Sequence, residues 1–336
     1  MYYPAFPGKN SLLGICAPSA GVGHKTDSFD LSLMTLHANG FRTAETPSVR
    51  TEDIRSADAV VRGEEFNSLI ADPEVEAILS ASGGDYNLEM LPYIDWEALC
   101  EHPKWIAGAS DPTNILFPVT TKLDIATMYG FNAGSFDWSP LHLFQMNALS
   151  ILGGKLLRQD SFDRYDVCRD FSADGPDLSG EVRWDLLMPE DAGGPSETPA
   201  LDVTGRLIGG CLDCIAKLIG TPFDGTAEFL ERYGDEGILW YFDPFLMNAD
   251  TMYLTLLQMK YCGYFRTTRA VIFGRVLFTE GSTDNDYLEL LSRIFDVPVI
   301  WNADIGHVKP CMTLINGAVG RIRCSGGRGS LEMALI

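Results

Sequence analysis

The sequence predicts an α/β protein built on an open, mostly parallel sheet. Short apolar runs that end in Pro, Gly or Ser alternate along the chain with longer segments whose apolar residues recur at helical spacing. Strands that alternate with helices in this way form parallel βαβ units. The chain has 336 residues, of which 46% are hydrophobic and 11% are aromatic, so it can supply cores for about two domains.

The N-terminal part carries the alternation from its first apolar run. That run, SLLGICAPSAG at 11–21, is typical of a buried strand that leads into a loop, and the segment at 28–38 has helical spacing until Asn39 and Gly40 stop it. The elements predicted after it are a strand at 41–46, a helix at 57–71, a strand at 75–82, a helix at 91–99 and a strand at 105–109.

A change of composition separates this part from the rest of the chain. The stretch 169–200 is rich in Asp, Glu, Gly, Pro and Ser and has no long periodic segment. We therefore predict an N-terminal domain at 1–150, a crossover at 151–200 and a C-terminal domain at 201–336. Trp184 is the most apolar feature of the crossover, and it is interpreted either as a cap on a ligand cleft or as a packing anchor.

The C-terminal part repeats the strand and helix signals. Its predicted elements are a helix from about Cys211, strands at 237–245 and 270–276, a helix at 249–262, a strand at 297–307 and closing strands at 312–324. Ligands of open α/β sheets bind in the loops beyond the carboxyl ends of the strands.

Net charge and cysteine usage limit the partners and the compartment. The formal charge of −21 repels nucleic acid polymers and anionic membranes, so neither is an expected partner. The N-terminus lacks a charged stretch followed by an apolar one, and no apolar run reaches the ~18 residues of a membrane span. The eight cysteines are spread along the chain, which is typical of free thiols. We expect a cytoplasmic protein.

The sequence contains no motif that demands a cofactor or a metal. It has no Walker loop, no GxGxxG and no HExxH, so we expect neither. Cys211 and Cys214 form a lone CxxC pair with no second pair and no adjacent histidine. A redox or metal role is one interpretation, and two thiols on one helix face is the simpler one.

Three loops carry residues that suit chemistry or binding. His307 follows a predicted strand, where a general base or a histidine bonded to the backbone would both fit. Ser110 and Asp111 lie in a strand-to-helix turn, as helix caps or as ligand-binding residues. The third loop, GGDYN at 83–87, also follows a strand; Gly83, Gly84 and Tyr86 are its candidate ligand-binding residues.

Seven motifs, taken in order, identify a family that the chain resembles. They are APS at 17–19, GG with LPYID at 83–95, GASD at 108–111, LIGG at 207–210, GTP at 220–222, GILWYFD at 237–243, and ADIGH with TLINGAVG at 303–320. In these motifs the chain resembles the LD-carboxypeptidase family of serine peptidases, which includes muramoyl-tetrapeptide carboxypeptidases and microcin C self-immunity peptidases.

The resemblance implies a fold and a class of ligand. It implies a flavodoxin-like, parallel-sheet N-terminal domain, a smaller β-rich α/β C-terminal domain, an active site between them and a homodimer. The implied ligand is a small peptide, a muropeptide or a peptidyl-nucleotide. Members of the family use a Ser–Glu–His triad, in which the serine follows a glycine pair at a turn that enters a helix.

Carried over residue by residue, the resemblance leaves the triad incomplete. The family's GG-x-x-Ser pattern places the serine at Asn87, its Leu-Phe-x-Glu-Asp pattern places the glutamate at Phe242, and its histidine matches His307. An amide is a poor nucleophile and a phenylalanine cannot orient an imidazole, so the serine mechanism is predicted to be lost. Asp243 is expected to face away from the cleft because strand neighbours point to opposite faces, unless a bulge turns it. Asp85 is an alternative nucleophile or base.

Three functions remain open from the sequence. A binding protein that keeps the peptide cleft without the serine mechanism is suggested by Asn87 and Phe242, because an amide can still donate and accept hydrogen bonds. An active carboxypeptidase or amidohydrolase of altered mechanism is suggested by His307. A scaffolding dimer without a ligand would follow if Phe242 and Tyr86 filled the cleft.

Overall fold

The computed structural model describes residues 1–155, 158–168, 176–189 and 200–336. The chain forms two compact units. The first consists of Met1–Leu157 with Thr313–Gly317, and the second of Arg158–Met312 with Ala318–Ile336. The stretch predicted as a crossover lies partly outside the described residues, and its described parts contribute short strands to the second unit.

The first unit is a six-stranded sheet with its connecting helices. Its strands are β1 (Leu12–Cys16), β2 (Arg42–Glu45), β3 (Val75–Ser80), β4 (Trp105–Gly108), β5 (Thr127–Tyr129) and, from the C-terminal part of the chain, β14 (Leu314–Asn316). Its α-helices are α1 (Thr26–Ala38), α2 (Ala59–Ala71), α3 (Trp96–Glu101), α4 (Thr113–Leu123) and α5 (Leu143–Leu152).

The strand order of this sheet is β14-β5-β4-β3-β1-β2. Strands β1 to β5 pair in parallel, and β14 pairs antiparallel with β5 at the edge. The order β2-β1-β3-β4-β5 is that of flavodoxin-like sheets, whose order reverses between β1 and β3. Both β3 and β4 are buried over almost their whole length, because helices cover a parallel sheet. The predicted fold class of this unit is confirmed.

The helix predicted at 91–99 begins later than the sequence suggested. The chain first forms a 3₁₀ helix at Asn87–Tyr93, which includes Pro92, and then the short helix α3. Proline has no N–H for an α-helical hydrogen bond, so an α-helix cannot run through it undisturbed. The Asp95 side chain caps α3 by accepting a hydrogen bond from the Ala98 N–H at 2.9 Å.

The second unit is β-rich, as predicted. Its strands are β6 (Gln159–Asp160), β7 (Arg164–Tyr165), β8 (Gly180–Glu181), β9 (Asp185–Leu187), β10 (Ala200–Cys211), β11 (Ile238–Asp243), β12 (Thr268–Gly274), β13 (Val299–Ala303), β15 (Val319–Ser325) and β16 (Arg328–Ala334). Its α-helices are α6 (Leu212–Leu218), α7 (Thr226–Tyr233), α8 (Ala249–Tyr261) and α9 (Asp284–Ile294). Within the described ranges, no helix is long and apolar enough to cross a membrane.

Eight of these strands form one sheet in the order β6-β16-β15-β10-β11-β12-β13-β9. The central strands β10 to β13 are parallel, and the flanking strands pair antiparallel. The carboxyl ends of β10 to β13 therefore share one edge of the sheet, with Cys211 paired in register to Asp243. The loops beyond this edge are where a ligand of a parallel sheet is expected.

A buried polar cluster anchors the segment that precedes β9. The Asp304 carboxylate is fully buried and accepts hydrogen bonds from Arg275 Nη1 at 2.7 Å, the Trp184 indole N–H at 3.1 Å and the Phe162 N–H at 3.0 Å. Burial raises the pKa of Asp304, and the Arg275 guanidinium opposes that rise. Trp184 is itself buried, so its position supports the packing interpretation rather than a ligand cap.

The first prediction concerns the ion pair in this cluster. Replacing the cation in Arg275→Met leaves a buried carboxylate without its partner, and we expect the free energy of unfolding at pH 7 to fall by about 3–5 kcal/mol. The loss should shrink as the pH is lowered, because the raised folded-state pKa of Asp304 lets that carboxyl become neutral before its unfolded counterpart does. Urea titrations at several pH values measure both effects.

The matched control is an exposed ion pair in the same unit. Arg293 contacts Glu289 with both side chains more than half exposed, and Arg293→Met should change the free energy of unfolding by less than about 0.5 kcal/mol. Equal losses in the two variants would contradict the role given to the buried pair.

Candidate active site

Three loops of the first unit meet at the carboxyl edge of its sheet, after β1, β3 and β4. Ser19 Oγ donates a hydrogen bond to Asp111 Oδ2 at 2.5 Å and accepts one from the Tyr86 N–H at 3.0 Å. The Asn87 N–H donates to the same Asp111 oxygen at 2.7 Å. Because β1 and β3 flank the point where the strand order reverses, these loops occupy the usual ligand position of an open sheet.

Asp111 is the residue on which these loops converge. Its side chain is 1% exposed, and Oδ1 accepts a further hydrogen bond from Asn114 Nδ2 at 2.7 Å. A buried carboxylate is tolerated only where donors replace its water, and here a hydroxyl, a backbone N–H and an amide do so. The hydrogen bonds tie the loop between β4 and α4 to the loops after β1 and β3.

Asn87 does not occupy the position of a nucleophile. Its side chain is fully buried, Nδ2 donates to the Pro18 carbonyl at 3.1 Å, and Oδ1 has no hydrogen-bond partner among the described residues. The neighbouring Gly84 has a φ of +144°, and a Cβ there would lie 2.3 Å from Ser19 Oγ. The turn at 83–87 is thus packed against the loop after β1, and Asn87 serves that packing.

Ser110 lies in a turn that enters a helix, which is the setting that the resemblance gives to the family's serine. It lies between β4 and α4, it is half-buried, and its φ is +70°. A serine held at positive φ between a strand and a helix is the arrangement of a nucleophile elbow, and strain of this kind collects at functional sites. Gly83 lets the neighbouring loop approach, since a Cβ there would lie 3.0 Å from Ser110 Cβ.

Neighbouring side chains hold this elbow in place. Asn132 Oδ1 accepts a hydrogen bond from the Ala109 N–H at 3.0 Å, and the Tyr129 hydroxyl accepts one from the Ser110 N–H at 3.4 Å. The signal that identified the elbow was present in the sequence as GASD at 108–111, a serine two residues beyond the end of a strand. Sequence reasoning assigned Ser110 only a cap or binding role, because φ cannot be read from residue types.

In the second unit the structure pairs Asp243 with His307. The Nδ1 atom of His307 lies 3.0 Å from Asp243 Oδ1 and 2.9 Å from Oδ2, and the His307 N–H donates to Oδ1 at 3.2 Å. Asp243 was expected to face away from the cleft, and its carboxylate instead contacts the imidazole of His307. An ionised carboxylate can only accept, so Nδ1 carries the proton and Nε2 is the nitrogen that can take another.

Phe242 lies on the other face of β11. Its ring packs against Trp240, with centroids 5.6 Å apart, and against Phe273 at 5.4 Å, in a cluster of buried aromatic rings. The alternation rule was sound, since Phe242 and Asp243 do point to opposite faces. The sequence argument assigned the wrong one of these two faces to the histidine. No bulge is needed to bring Asp243 to His307, because β11 pairs in register with β10 through both Phe242 and Asp243.

Two glycines allow the loop after β13 to reach β11. Strand β12 lies between β11 and β13, so the loop passes over the end of β12. A Cβ on Gly274, the last residue of β12, would lie 2.2 Å from the Ile305 carbonyl oxygen. Gly306 has a φ of +95°, and a Cβ there would lie 1.9 Å from Asp243 Oδ1. Neither contact is possible with a side chain, so both glycines are required for the Asp243–His307 pair.

The remaining candidate residues have separate environments. Asp85 is exposed, and the Tyr86 ring lies under the Arg55 guanidinium, with 3.4 Å from its carbon to the ring centroid. Among the described residues, no group of three or more His, Cys, Asp and Glu side chains is arranged to hold a metal ion.

Comparison with known proteins gives two separate family matches. Residues 13–130 match the LD-carboxypeptidase N-terminal domain, and residues 204–322 match the LD-carboxypeptidase C-terminal domain. Together the two matches span well over half of the chain, and they include the elbow serine and the Asp243–His307 pair.

Three relatives illustrate the similarity. A Vibrio cholerae protein named as a candidate carboxypeptidase is 27% identical over 92% of this chain and 91% of its own. The microcin C7 self-immunity protein MccF of Escherichia coli is 26% identical over 79% of this chain and 76% of its own. A MccF-like protein of Bacillus anthracis has a solved structure with a TM-score of 0.84, 19% identity and full coverage of both chains.

Solved structures of MccF describe a ligand and an active site for that protein. One holds aspartyl sulfamoyl adenosine and matches this fold with a TM-score of 0.78, 21% identity and 99% coverage of both chains. Another is an active-site mutant in which a serine, an asparagine and a lysine are replaced by alanine.

The second prediction tests the glycine that accommodates the Asp243 carboxylate. Gly306→Ala adds a Cβ that would clash with Asp243 Oδ1 at 1.9 Å, so the loop must move. The hydrogen bond between Asp243 and His307 Nδ1 should then be lost. In proton NMR spectra, the downfield resonance of the His307 Nδ1–H should disappear, as it does by definition in His307→Ala.

Gly281→Ala is the matched control for backbone strain. Gly281 has a similar φ of +90°, and a Cβ there would meet no atom of the described residues within 4 Å. This variant should lose only about 1–2 kcal/mol of stability from the left-handed backbone and should keep the imidazole resonance. Persistence of the resonance in Gly306→Ala would contradict the steric argument.

Proposed function

Because the chain belongs to the LD-carboxypeptidase family, we propose that it is a serine hydrolase that cleaves an amide bond next to a free carboxyl terminus. The observation that carries this proposal is the hydrogen bond between Asp243 and His307 Nδ1, which gives the imidazole a fixed tautomer and an acid partner. Ser110, in its strained turn, is the proposed nucleophile.

The proposed reaction follows the usual two steps of acyl transfer. Ser110 Oγ attacks the carbonyl carbon of the scissile amide, while His307 accepts a proton at Nε2 and returns it to the departing amine. Water then cleaves the acyl-enzyme with the same base. Asp243 remains ionised and holds the imidazole in the tautomer and orientation that the step needs.

A preformed backbone around Ser110 supports the role of nucleophile. The start of α4 lies directly after the elbow, and the helix dipole favours negative charge there. The glycine turn lies directly against the elbow, since a Cβ on Gly83 would lie 3.0 Å from Ser110 Cβ. Backbone N–H groups at such a turn can stabilise the oxyanion of the tetrahedral intermediate.

The proposed substrates are a muropeptide or a peptidyl-nucleotide. The family suggests both, and MccF binds aspartyl sulfamoyl adenosine in a solved structure. A strongly acidic protein does not attract anionic ligands over long range, so recognition would depend on close contacts rather than on steering. The homodimer and the cytoplasmic location stay predictions.

The binding-protein hypothesis was based on Asn87 and Phe242, and the burial of these two residues favours the hydrolase over it. Asn87 and Phe242 are packed inside their units, and we propose Ser110 and Asp243 as the serine and the acid instead. It remains the outcome to expect if the wild-type protein binds these compounds without turning them over.

The third prediction concerns the proposed triad. We expect D-alanine release from a muramoyl-tetrapeptide, or cleavage of aspartyl sulfamoyl adenosine, to fall at least ~10³-fold in Ser110→Ala and in His307→Ala. Asp243→Asn should cost on the order of 10⁴ in kcat because it permits the wrong tautomer. The double variant Ser110→Ala with His307→Ala should lose no more than either single variant, since residues that act in one step are not additive.

Phe242→Leu is the control for Asp243→Asn. It changes the neighbouring residue on the opposite face of the same strand, so it should reduce stability and leave kcat within a few-fold of wild type. Undiminished turnover in Ser110→Ala or His307→Ala would refute the assignment of that residue.

A further inference from the structure

The loop after β11 is held by a carboxylate from another element. Asp213, in the first turn of α6, accepts a hydrogen bond from the Phe245 N–H at 2.9 Å through Oδ2 and one from the Leu246 N–H at 3.0 Å through Oδ1. Each oxygen of the Asp213 carboxylate thus accepts a hydrogen bond from one of two consecutive backbone N–H groups. Charge-assisted bonds of this kind are roughly twice as strong as neutral ones, so this loop has a defined path.

The path of the loop decides where the Phe245 ring lies. That ring sits against the imidazole of His307, with centroids 4.5 Å apart and planes 42° apart. Its backbone is held on a second side, where the Phe278 N–H donates to the Phe245 carbonyl at 3.0 Å. The Phe278 ring also meets the Phe245 ring edge-on, at 5.4 Å between centroids.

The imidazole needs this second contact. The Asp243 carboxylate fixes the position of Nδ1, but a ring held at one atom can still pivot about that hydrogen bond. A flat ring packed against the imidazole limits the pivot and so limits the direction in which Nε2 points. Small errors of direction matter, because a misplacement of ~1 Å can cost ~10²-fold in rate.

We propose that Asp213 is a positioning residue for the general base: it clamps the Phe245 and Leu246 N–H groups and thereby holds the Phe245 ring against His307. The inference rests on the proposed function in one respect, the role of His307 as base. It also gives the lone CxxC segment a role, since Asp213 lies between Cys211 and Cys214.

The thiol of Cys211 does not offer an alternative explanation for this segment. The hydrogen bond with Cys214 and burial raise the pKa of Cys211 well above its ordinary value, with smaller contributions from Asp243 and Asp213. A buried thiol that stays protonated is a poor nucleophile and a poor metal ligand. We therefore assign the role of this segment to the Asp213 carboxylate, which accepts the two hydrogen bonds from the loop.

The fourth prediction tests this clamp by steady-state kinetics. Asp213→Ala should lower kcat by ~10- to 100-fold and leave KM within about threefold, because the base is misdirected while substrate contacts remain. Asp213→Asn keeps one carbonyl acceptor and should show a smaller loss. In the double variant Asp213→Ala with Phe245→Ala, kcat should fall no further than in the worse single variant, since both changes release the same ring.

Asp224→Ala is the matched control. Asp224 is a carboxylate of the same unit that accepts hydrogen bonds from the Gly220 N–H at 3.2 Å, the Thr226 N–H at 3.1 Å and the Tyr264 hydroxyl at 2.5 Å. Its removal should lower the free energy of unfolding and leave kcat unchanged. An unchanged kcat in Asp213→Ala, or an equal fall of kcat in Asp224→Ala, would overturn the proposal.

A readout without turnover separates this inference from the proposed function. The His307 Nδ1–H resonance should broaden in Asp213→Ala, because a freer ring exchanges its proton faster, and should stay sharp in Asp224→Ala. A wild-type protein without turnover would refute the hydrolase, while the resonance would still report the clamp. A resonance that is equally sharp in wild type and Asp213→Ala would overturn the clamp whatever the activity.

Discussion

The hydrogen bond between Asp243 and His307 constrains much of the second unit. His307 follows β13, Asp243 ends β11, and β12 lies between those strands, so the loop must pass over the end of β12. That passage is possible only where Gly274 and Gly306 carry no side chain. The geometry of the proposed base therefore depends on two residues without functional groups, and their substitution should damage it as directly as the loss of the acid.

Carboxylates at or shortly beyond the carboxyl ends of strands organise the loops in both units. Asp111 accepts hydrogen bonds from the Ser19 hydroxyl, the Asn114 amide and the Asn87 N–H. Asp213 accepts them from the Phe245 and Leu246 N–H groups, and Asp243 accepts them from the backbone and the ring of His307. Each satisfies donors that would otherwise be stranded where a strand stops. Part of the acidic excess of the sequence thus serves to fix loop backbones.

The fold was largely predictable and the site only partly so. Apolar runs locate β1, β3, β4, β11, β12 and β13 to within a few residues, because parallel strands are buried on both faces. The helix predicted at 91–99 failed in its first turn, where Pro92 favours a 3₁₀ segment. His307 was identified from its place after a strand. The φ of Ser110 and the face of Asp243 were not predictable, since both depend on packing between distant segments.

Asn87 and Phe242 show why a substitution at an aligned position does not imply a lost reaction. Successive side chains of a strand point to opposite faces, and core packing decides which of them are buried in the core and which remain accessible. In β11 the aromatic cluster takes Phe242, so the acid that meets the histidine has to come from the next residue, Asp243. Likewise the buried amide of Asn87 fills the turn against which the Ser110 elbow rests. A role assigned by spacing alone holds only if the side chain also lies on the face that the fold leaves accessible.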